Sequence, residues 1–171
     1  MANFISFIRM FLLVPIGILL YNDSYTAALW VFVVAALTDW LDGFVARKTN
    51  TVTETGKVID QIADKVLITS TMIFLADLKE LPAWLVVTVV WRDTMVSATR
   101  ILAAKMGHII AANIFGKAKT VSQMVLLILI LAKDIIPLYE PIKILLVWIV
   151  FVFTVISGAI YIYQNRKVFT L

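Results

Sequence analysis

"AALWVFVVAALTDWLDGFVARK", residues 27–48, begins as an uncharged apolar run and ends with Asp39, Asp42 and Arg47. A helix that crosses a membrane needs about 20 mostly apolar residues, and charged side chains within it are costly. We therefore expect the charges to lie at one end of a membrane-spanning helix. At that position they either extend to the lipid headgroups or form a functional site.

The composition of the whole chain is that of a membrane protein. Of its 171 residues, 62% are hydrophobic, and the mean hydropathy is +0.98, whereas soluble domains are roughly 45–50% apolar. The chain has no cysteine and one histidine, which excludes disulfides and zinc sites built from several histidines or thiolates. The basic residues are scattered between apolar segments, which argues against nucleic acid as a partner.

Six apolar segments are long enough to cross a bilayer: 4–21, 26–46, 57–77, 81–104, 115–133 and 141–164. They are continuous and lack the two-residue alternation of barrel strands, so they are predicted to be helices. Only short connections remain between them. We expect an all-α integral membrane protein with six transmembrane helices in a single domain, residues 1–171.

Basic residues alternate between successive loops. One set of loops contains Arg47, Lys48, Lys57, Arg100, Lys105, Lys117, Lys119, Arg166 and Lys167. In the opposite set, Lys79, Lys133 and Lys143 are offset by Asp77, Glu80, Asp134 and Glu140. The positive-inside rule places the first set, and with it both chain termini, in the cytoplasm.

Two more carboxylates, Asp60 and Asp64, begin the third predicted helix. Residues three or four apart share a helix face, and the short loop between the second and third helices makes them antiparallel neighbours. We therefore expect all four carboxylates to converge on one cavity at the cytoplasmic side. Converging carboxylates repel one another and therefore protonate or bind cations. Oxygen ligands favour magnesium or manganese, and a pair of such ions is a known device for displacement at phosphorus. A single aspartate or lysine here, such as Lys65, could instead extend to the headgroups.

The stretch "DWLDGFVARKTNTVTETGKVIDQIAD", residues 39–64, resembles the signature of CDP-alcohol phosphatidyltransferases, D-x2-D-G-x2-A-R-x8-G-x3-D-x3-D, at every fixed position. The resemblance implies two divalent cations, Mg²⁺ or Mn²⁺, bound by Asp39, Asp42, Asp60 and Asp64. It implies that Asp64 is also the general base and that Gly43, Ala46, Arg47 and Gly56 border the CDP group. A six-helix homodimer is implied as well.

A second region concerns the acceptor alcohol. Arg92, Arg100, Lys117 and Lys119 lie near the cytoplasmic ends of two predicted helices, and the two arginines, eight apart, share a face. A phosphorylated acceptor needs such a basic pocket. These charges could instead only set the orientation of the helices in the membrane. Arg92 could also pair with Asp93.

The stretch "WRDTMVSATRILAAKMGHIIAANIFGKAKTVSQM", residues 91–124, resembles bacterial phosphatidylglycerophosphate synthases. It departs from them at Asp93, where we expect a glutamate. The resemblance implies that the four basic residues bind the phosphate of glycerol 3-phosphate, with Thr120 and Gln123 as further candidates.

The resemblance thus implies transfer of a phosphatidyl group from CDP-diacylglycerol to glycerol 3-phosphate in a bacterial cytoplasmic membrane, with the site on the cytoplasmic side. One alternative is the same reaction with inositol phosphate, serine or phosphatidylglycerol as acceptor. The other is a transporter of divalent cations. The outer halves of the predicted helices are almost uninterrupted apolar residues, which disfavours a transport path.

Overall fold

The computed structural model describes residues 10–48, 54–105, 114–137 and 139–166. For residues 39–48, 54–64, 104 and 105 it describes the backbone but not the side chains. Six helices are present in these ranges: α1 Leu13–Tyr21, α2 Tyr25–Lys48, α3 Glu54–Asp77, α4 Ala83–Lys105, α5 Ile114–Leu131 and α6 Tyr139–Gln164. The same ranges contain no β-strand. The all-helical prediction is confirmed, and the ends of α2 to α6 lie within about three residues of the predicted ones.

The helices pack around an apolar core. Helix α5 has its largest interface with α6, which also packs on α4, while α1 contacts α2 and α3. Fully buried core side chains include Leu20, Phe32, Leu75 and Leu126. Large apolar side chains also cover the outside of the bundle, such as Trp30 with 66% of its surface exposed. Apolar residues both inside and outside are typical of helices surrounded by lipid.

Within the described residues, two helices, α5 and α6, are long and apolar enough to cross a membrane. Helix α2 contributes a shorter apolar stretch, Tyr25–Thr38. Helix α4 is continuous, but Arg92, Asp93 and Arg100 interrupt its apolar sequence. The number of membrane spans and the side on which the termini lie stay predictions.

Residues in the left-handed region end α1 and α3. Asp23 has a φ of 53° and Lys79 a φ of 62°. The backbone N–H of the residue after each one donates a hydrogen bond back to the helix. Ser24 donates to the Leu19 carbonyl at 2.9 Å, and Glu80 donates to the Leu75 carbonyl at 2.8 Å. These bonds satisfy carbonyls that a helix end leaves unpaired, so each helix stops sharply and the chain reverses.

Polar contacts join the turns at one end of the bundle. The Tyr21 hydroxyl donates to the Asp77 carboxylate at 2.6 Å. Lys133 Nζ and the Tyr139 hydroxyl donate to the Glu80 carboxylate at 2.6 and 2.8 Å. The turns that follow α1, α3 and α5 therefore share one end, as the alternation of loop charge predicts.

Glu80 is the shared acceptor of this end, since Lys143 Nζ also lies 3.5 Å from its second oxygen. Burial alone would raise the pKa of Glu80, but the hydrogen bonds from Lys133 and Tyr139 and the two ammonium charges lower it below its usual value. A lowered carboxyl pKa stabilises the folded state above the usual pKa. That contribution is lost as the pH falls through the lowered value.

We expect Glu80→Gln to reduce the free energy of unfolding by about 1.5–3 kcal/mol at neutral pH, because hydrogen bonds to a charged group are lost. The difference from the parent should shrink as the pH falls through the lowered pKa of Glu80, where the Glu80 of the parent protonates as well. Thermal unfolding in detergent, followed by circular dichroism at several pH values, measures both effects.

Glu140→Gln is the matched control, since the Glu140 side chain is 65% exposed and its contact with Lys143 is a surface ion pair. Its loss is expected to stay below about 1 kcal/mol. Equal losses for the two variants, or a Glu80→Gln effect independent of pH, would contradict the assigned role of Glu80.

Candidate active site

The acidic motif lies on two helices. Asp39, Asp42, Gly43, Ala46 and Arg47 belong to the last part of α2, and Gly56, Asp60 and Asp64 to the first part of α3. The helical backbone predicted for both segments is confirmed. The side chains of all eight residues lie outside the described ones, so their roles stay predictions.

A cavity of about 490 Å³ is lined by residues of α3, α4, α5 and α6. Arg92 and Arg100 of α4 and Lys117 and Lys119 of α5 all contribute to its wall, so the structure brings the four predicted phosphate-binding residues together. The weaker candidates Thr120 and Gln123 also line the cavity. Its volume is in the range of small-molecule binding sites.

Asp93 provides the counter-charge for two buried cations. It accepts a hydrogen bond from Lys119 Nζ at 2.6 Å and another from Arg92 Nη1 at 3.0 Å. The side chains of Lys119 and Arg92 are 3% and 10% exposed. Charges this deeply buried need a partner, because their hydration is lost. The alternative that Arg92 pairs with Asp93 is therefore confirmed, and the pairing extends to Lys119.

Arg92 runs between two glycines. A Cβ atom on Gly158 of α6 would lie 3.1 Å from Arg92 Cγ, which is closer than an ordinary contact. A Cβ on Gly116 of α5 would lie 3.5 Å from Nη2 of the same side chain, which is ordinary contact. The absence of a side chain at position 158 therefore lets the stem of Arg92 pass against α6.

Lys65 of α3 adds a further cation to the cavity wall. Its ammonium donates a hydrogen bond to the Ser97 hydroxyl, which in turn donates to the Asp93 carbonyl at 2.7 Å. Lys65 directly follows Asp64 in the chain, so the cavity adjoins the part of α3 that carries the acidic motif. The side chain lies against the cavity and is bonded to α4, which contradicts the alternative that it extends to the headgroups.

Four buried polar atoms that belong to residues lining the cavity have no hydrogen-bond partner among the described residues. They are Arg92 Nε, Arg100 Nε, Gln123 Nε2 and the Tyr161 hydroxyl, and all four residues line the cavity. The guanidinium of Arg100 also lies over the Tyr161 ring, with Cζ 5.8 Å from the ring centre. Each unsatisfied buried polar atom costs about 1–3 kcal/mol. Their concentration at one cavity indicates a ligand that supplies hydrogen-bond partners.

The charge of the wall defines what the cavity can hold. Among the side chains that the structure describes, those that line the cavity include one carboxylate, that of Asp93, and five cations: Lys65, Arg92, Arg100, Lys117 and Lys119. This excess of positive charge suits a phosphate group, whose oxygens accept charge-assisted hydrogen bonds from guanidinium and ammonium groups.

Sequence reasoning missed the place of Lys65, Asp93 and Tyr161 at this cavity. The position of Lys65 next to Asp64 was a usable signal, because both lie on the same end of one helix. For Asp93 the sequence suggests a pairing with Arg92 and a departure from the expected glutamate, and neither indicates the bond to Lys119. Tyr161 gives no signal in the sequence, because its neighbour Arg100 lies on a different helix far along the chain.

The chain belongs to the CDP-alcohol phosphatidyltransferase family, which it matches over residues 1–156. This confirms the resemblance seen in the signature of residues 39–64.

The similar proteins include three bacterial enzymes with the same name, CDP-diacylglycerol–glycerol-3-phosphate 3-phosphatidyltransferase. That of Bacillus subtilis (strain 168) is 36% identical over 146 residues, which are 83% of this chain and 75% of that protein. That of Pseudomonas fluorescens is 36% identical over 141 residues, 77% of this chain and 71% of that protein. That of Escherichia coli (strain K12) is 36% identical over 126 residues, 68% of each.

We expect Gly158→Ala to weaken the binding of inorganic phosphate to the cavity, because the new methyl group displaces Arg92 by a few tenths of an ångström. A charge-assisted hydrogen bond is worth about 1.5–3 kcal/mol, so its partial loss should raise the dissociation constant about three- to tenfold. Calorimetric titration of the purified protein measures the change.

Gly17→Ala is the matched control, since its Cβ would lie 3.0 Å from Phe74 Cζ, in the core and away from the cavity. It is expected to lower stability without changing phosphate affinity. The same affinity in Gly158→Ala as in the parent would show that Gly158 does not position Arg92.

Proposed function

We propose that this protein transfers the phosphatidyl group of CDP-diacylglycerol to sn-glycerol 3-phosphate, with phosphatidylglycerophosphate and CMP as products. Membership of the family and the names of the three bacterial relatives support the reaction. The observation that carries the choice of acceptor is the convergence of Arg92, Arg100, Lys117 and Lys119 on one cavity beside the acidic motif.

The cavity binds the phosphate of the acceptor. Arg100 and Lys117 have no carboxylate partner among the described residues, whereas Arg92 and Lys119 share Asp93. Arg100 and Lys117 can therefore bind the phosphate directly, whereas the carboxylate of Asp93 holds Arg92 and Lys119 in place. A serine acceptor would bring its own ammonium group into a cavity of positive charge, which is repulsive.

The acceptor then reacts through its free primary hydroxyl. The hydroxyl oxygen attacks the phosphorus that carries the diacylglycerol, and the bond from that phosphorus to the oxygen of CMP breaks. CMP leaves with the electron pair of that bond. Asp64 receives the proton of the hydroxyl as general base, a role typically worth 10²- to 10⁴-fold in rate. Lys65 fixes this part of α3 against α4 through Ser97.

The motif residues hold the nucleotide end of the donor. Asp39, Asp42, Asp60 and Asp64 supply oxygen ligands, which suit two Mg²⁺ or Mn²⁺ ions and not zinc. When bound, such ions neutralise the pyrophosphate and stabilise the negative charge that develops on the leaving group. Gly43, Ala46, Arg47 and Gly56 border the CDP group in this proposal.

In this proposal the chain lies in a bacterial cytoplasmic membrane as a single domain, residues 1–171, with six spans and both termini in the cytoplasm. Helices α2, α3, α4 and α6 have 23 to 26 residues, enough to cross a bilayer, and α5 has 18. Exposed apolar side chains on the helices, such as Trp30, Val87 and Leu145, support contact with lipid. The homodimer rests on the family resemblance.

The cavity also bears on the transporter alternative. Among the side chains that the structure describes, the wall has five cations and one carboxylate, and this excess of positive charge disfavours a path for divalent cations there. A basic cavity beside an acidic motif instead suits two anionic substrates that meet at one site.

We expect the purified protein, supplied with CDP-diacylglycerol and Mg²⁺, to convert radiolabelled glycerol 3-phosphate into a product that partitions into the lipid phase, with one CMP released for each. Labelled serine, which has no phosphate, and phosphatidylglycerol, whose phosphate is a diester, should react at least ~10-fold more slowly, because they cannot make the contacts of a phosphate monoester. Labelled inositol phosphate completes the panel, because it is an alternative acceptor that also carries a phosphate monoester. Scintillation counting of the lipid phase and chromatography of CMP measure the two products.

Two controls separate the chemistry from the choice of acceptor. A chelator, or Asp64→Asn, should reduce the rate by at least ~10²-fold, whereas Asp134→Asn, in the exposed turn after α5, should keep the rate of the parent. Transfer that survives chelation would remove the metals from the mechanism, and a faster reaction with another alcohol would overturn the choice of acceptor.

A further inference from the structure

Tyr161 of α6 is buried, with 2% of its surface exposed, and it lines the cavity. Its hydroxyl has no hydrogen-bond partner among the described residues. Buried tyrosine hydroxyls usually have one, because an unsatisfied hydroxyl costs free energy. The Tyr161 hydroxyl is therefore unsatisfied in the ligand-free protein, and a bound molecule can supply the missing hydrogen-bond partner.

The chemistry of the group indicates which part of a ligand it would contact. A phosphate is best held by cations, and five cationic side chains already line the cavity. A tyrosine hydroxyl is neutral, and it both donates and accepts. It therefore matches an alcohol group, which also donates and accepts, better than it matches a phosphate oxygen.

The position of Tyr161 narrows the choice of alcohol group. Its ring lies under the guanidinium of Arg100, so the ring borders the part of the cavity where the phosphate of the acceptor is placed. In glycerol 3-phosphate, the secondary hydroxyl is the polar group nearest to the phosphate. The primary hydroxyl is farther away and has to reach the acidic motif.

We propose that Tyr161 is a specificity-determining residue whose hydroxyl binds the secondary hydroxyl of glycerol 3-phosphate, the one that does not react. This inference rests on the proposed function. The cationic side chains would bind the phosphate, and Tyr161 of α6 would add a contact that recognises the glycerol skeleton. The buried amide nitrogen of Gln123, also without a described partner, is a second neutral donor at the same wall.

The test compares two acceptors and two tyrosine variants. 1,3-Propanediol monophosphate keeps the phosphate and the reacting primary hydroxyl of glycerol 3-phosphate but lacks the secondary hydroxyl. Tyr161→Phe removes only the hydroxyl of the protein and keeps the ring under Arg100. Tyr163→Phe, on the same helix but with Tyr163 70% exposed, is the matched control.

The parent is expected to prefer glycerol 3-phosphate over the propanediol compound about five- to tenfold in kcat/KM, the effect of one hydrogen bond. Tyr161→Phe should lose that factor with glycerol 3-phosphate and be unchanged with the analogue, so that its preference falls to about one. Tyr163→Phe should keep the preference of the parent.

Thermal unfolding without ligand distinguishes recognition from a structural role. Tyr161→Phe should unfold at the temperature of the parent, because its hydroxyl has no bond to lose. An unchanged preference in Tyr161→Phe, an equal fall with both acceptors, or a lower unfolding temperature would overturn the inference. A parent that uses neither phosphate compound would overturn the proposed function itself, and this inference with it.

Discussion

Asp93 holds two cations, Arg92 and Lys119, inside the bundle, and the geometry of the cavity depends on that arrangement. Burial of an ammonium group or a guanidinium group is unfavourable unless a counter-charge lies within hydrogen-bond distance. Asp93 meets this need with bonds of 2.6 and 3.0 Å. Because a single carboxylate serves two cations, positive charge remains in excess. The cavity therefore keeps its attraction for an anion although the side chains of Arg92 and Lys119 are largely shielded from water.

The same constraint explains how helices from distant parts of the chain form one wall. Lys119 of α5 bonds to Asp93 of α4, and Lys65 of α3 bonds to Ser97 of α4. Gly158 leaves room for Arg92 to lie against α6. Each contact fixes a helix relative to α4. At the opposite end of the bundle, Glu80 joins the turns after α3 and α5 in a similar way, so polar contacts fix both ends of a largely apolar bundle.

Much of the fold could be predicted from the sequence, because long apolar segments separated by charged loops leave few choices for the chain in a membrane. The helix boundaries and the set of turns at one end followed from that pattern. The convergence of Arg92, Arg100, Lys117 and Lys119 on a single cavity could be predicted in outline, since all lie near the same end of neighbouring helices.

What could not be predicted depends on contacts between helices. The role of Asp93 follows from the direction of Lys119 across the α4–α5 interface, which the spacing of residues in one helix does not determine. Tyr161 reaches the cavity because α6 packs on α4, and no local pattern marks it. Lys65 could be interpreted either as a headgroup contact or as part of the site, and only its bond to Ser97 decides between these interpretations.

The central claim is that the basic cavity binds the phosphate of the acceptor, and Arg100 tests it most directly. Arg100→Ala should raise the KM for glycerol 3-phosphate about ten- to a hundredfold, the effect of losing a charged hydrogen-bond partner worth about 1.5–3 kcal/mol. The KM for CDP-diacylglycerol should stay nearly unchanged, as should both constants in the control Arg166→Ala, whose guanidinium lies over the Tyr163 ring, outside the cavity. A KM for glycerol 3-phosphate in Arg100→Ala equal to that of the parent would contradict the account.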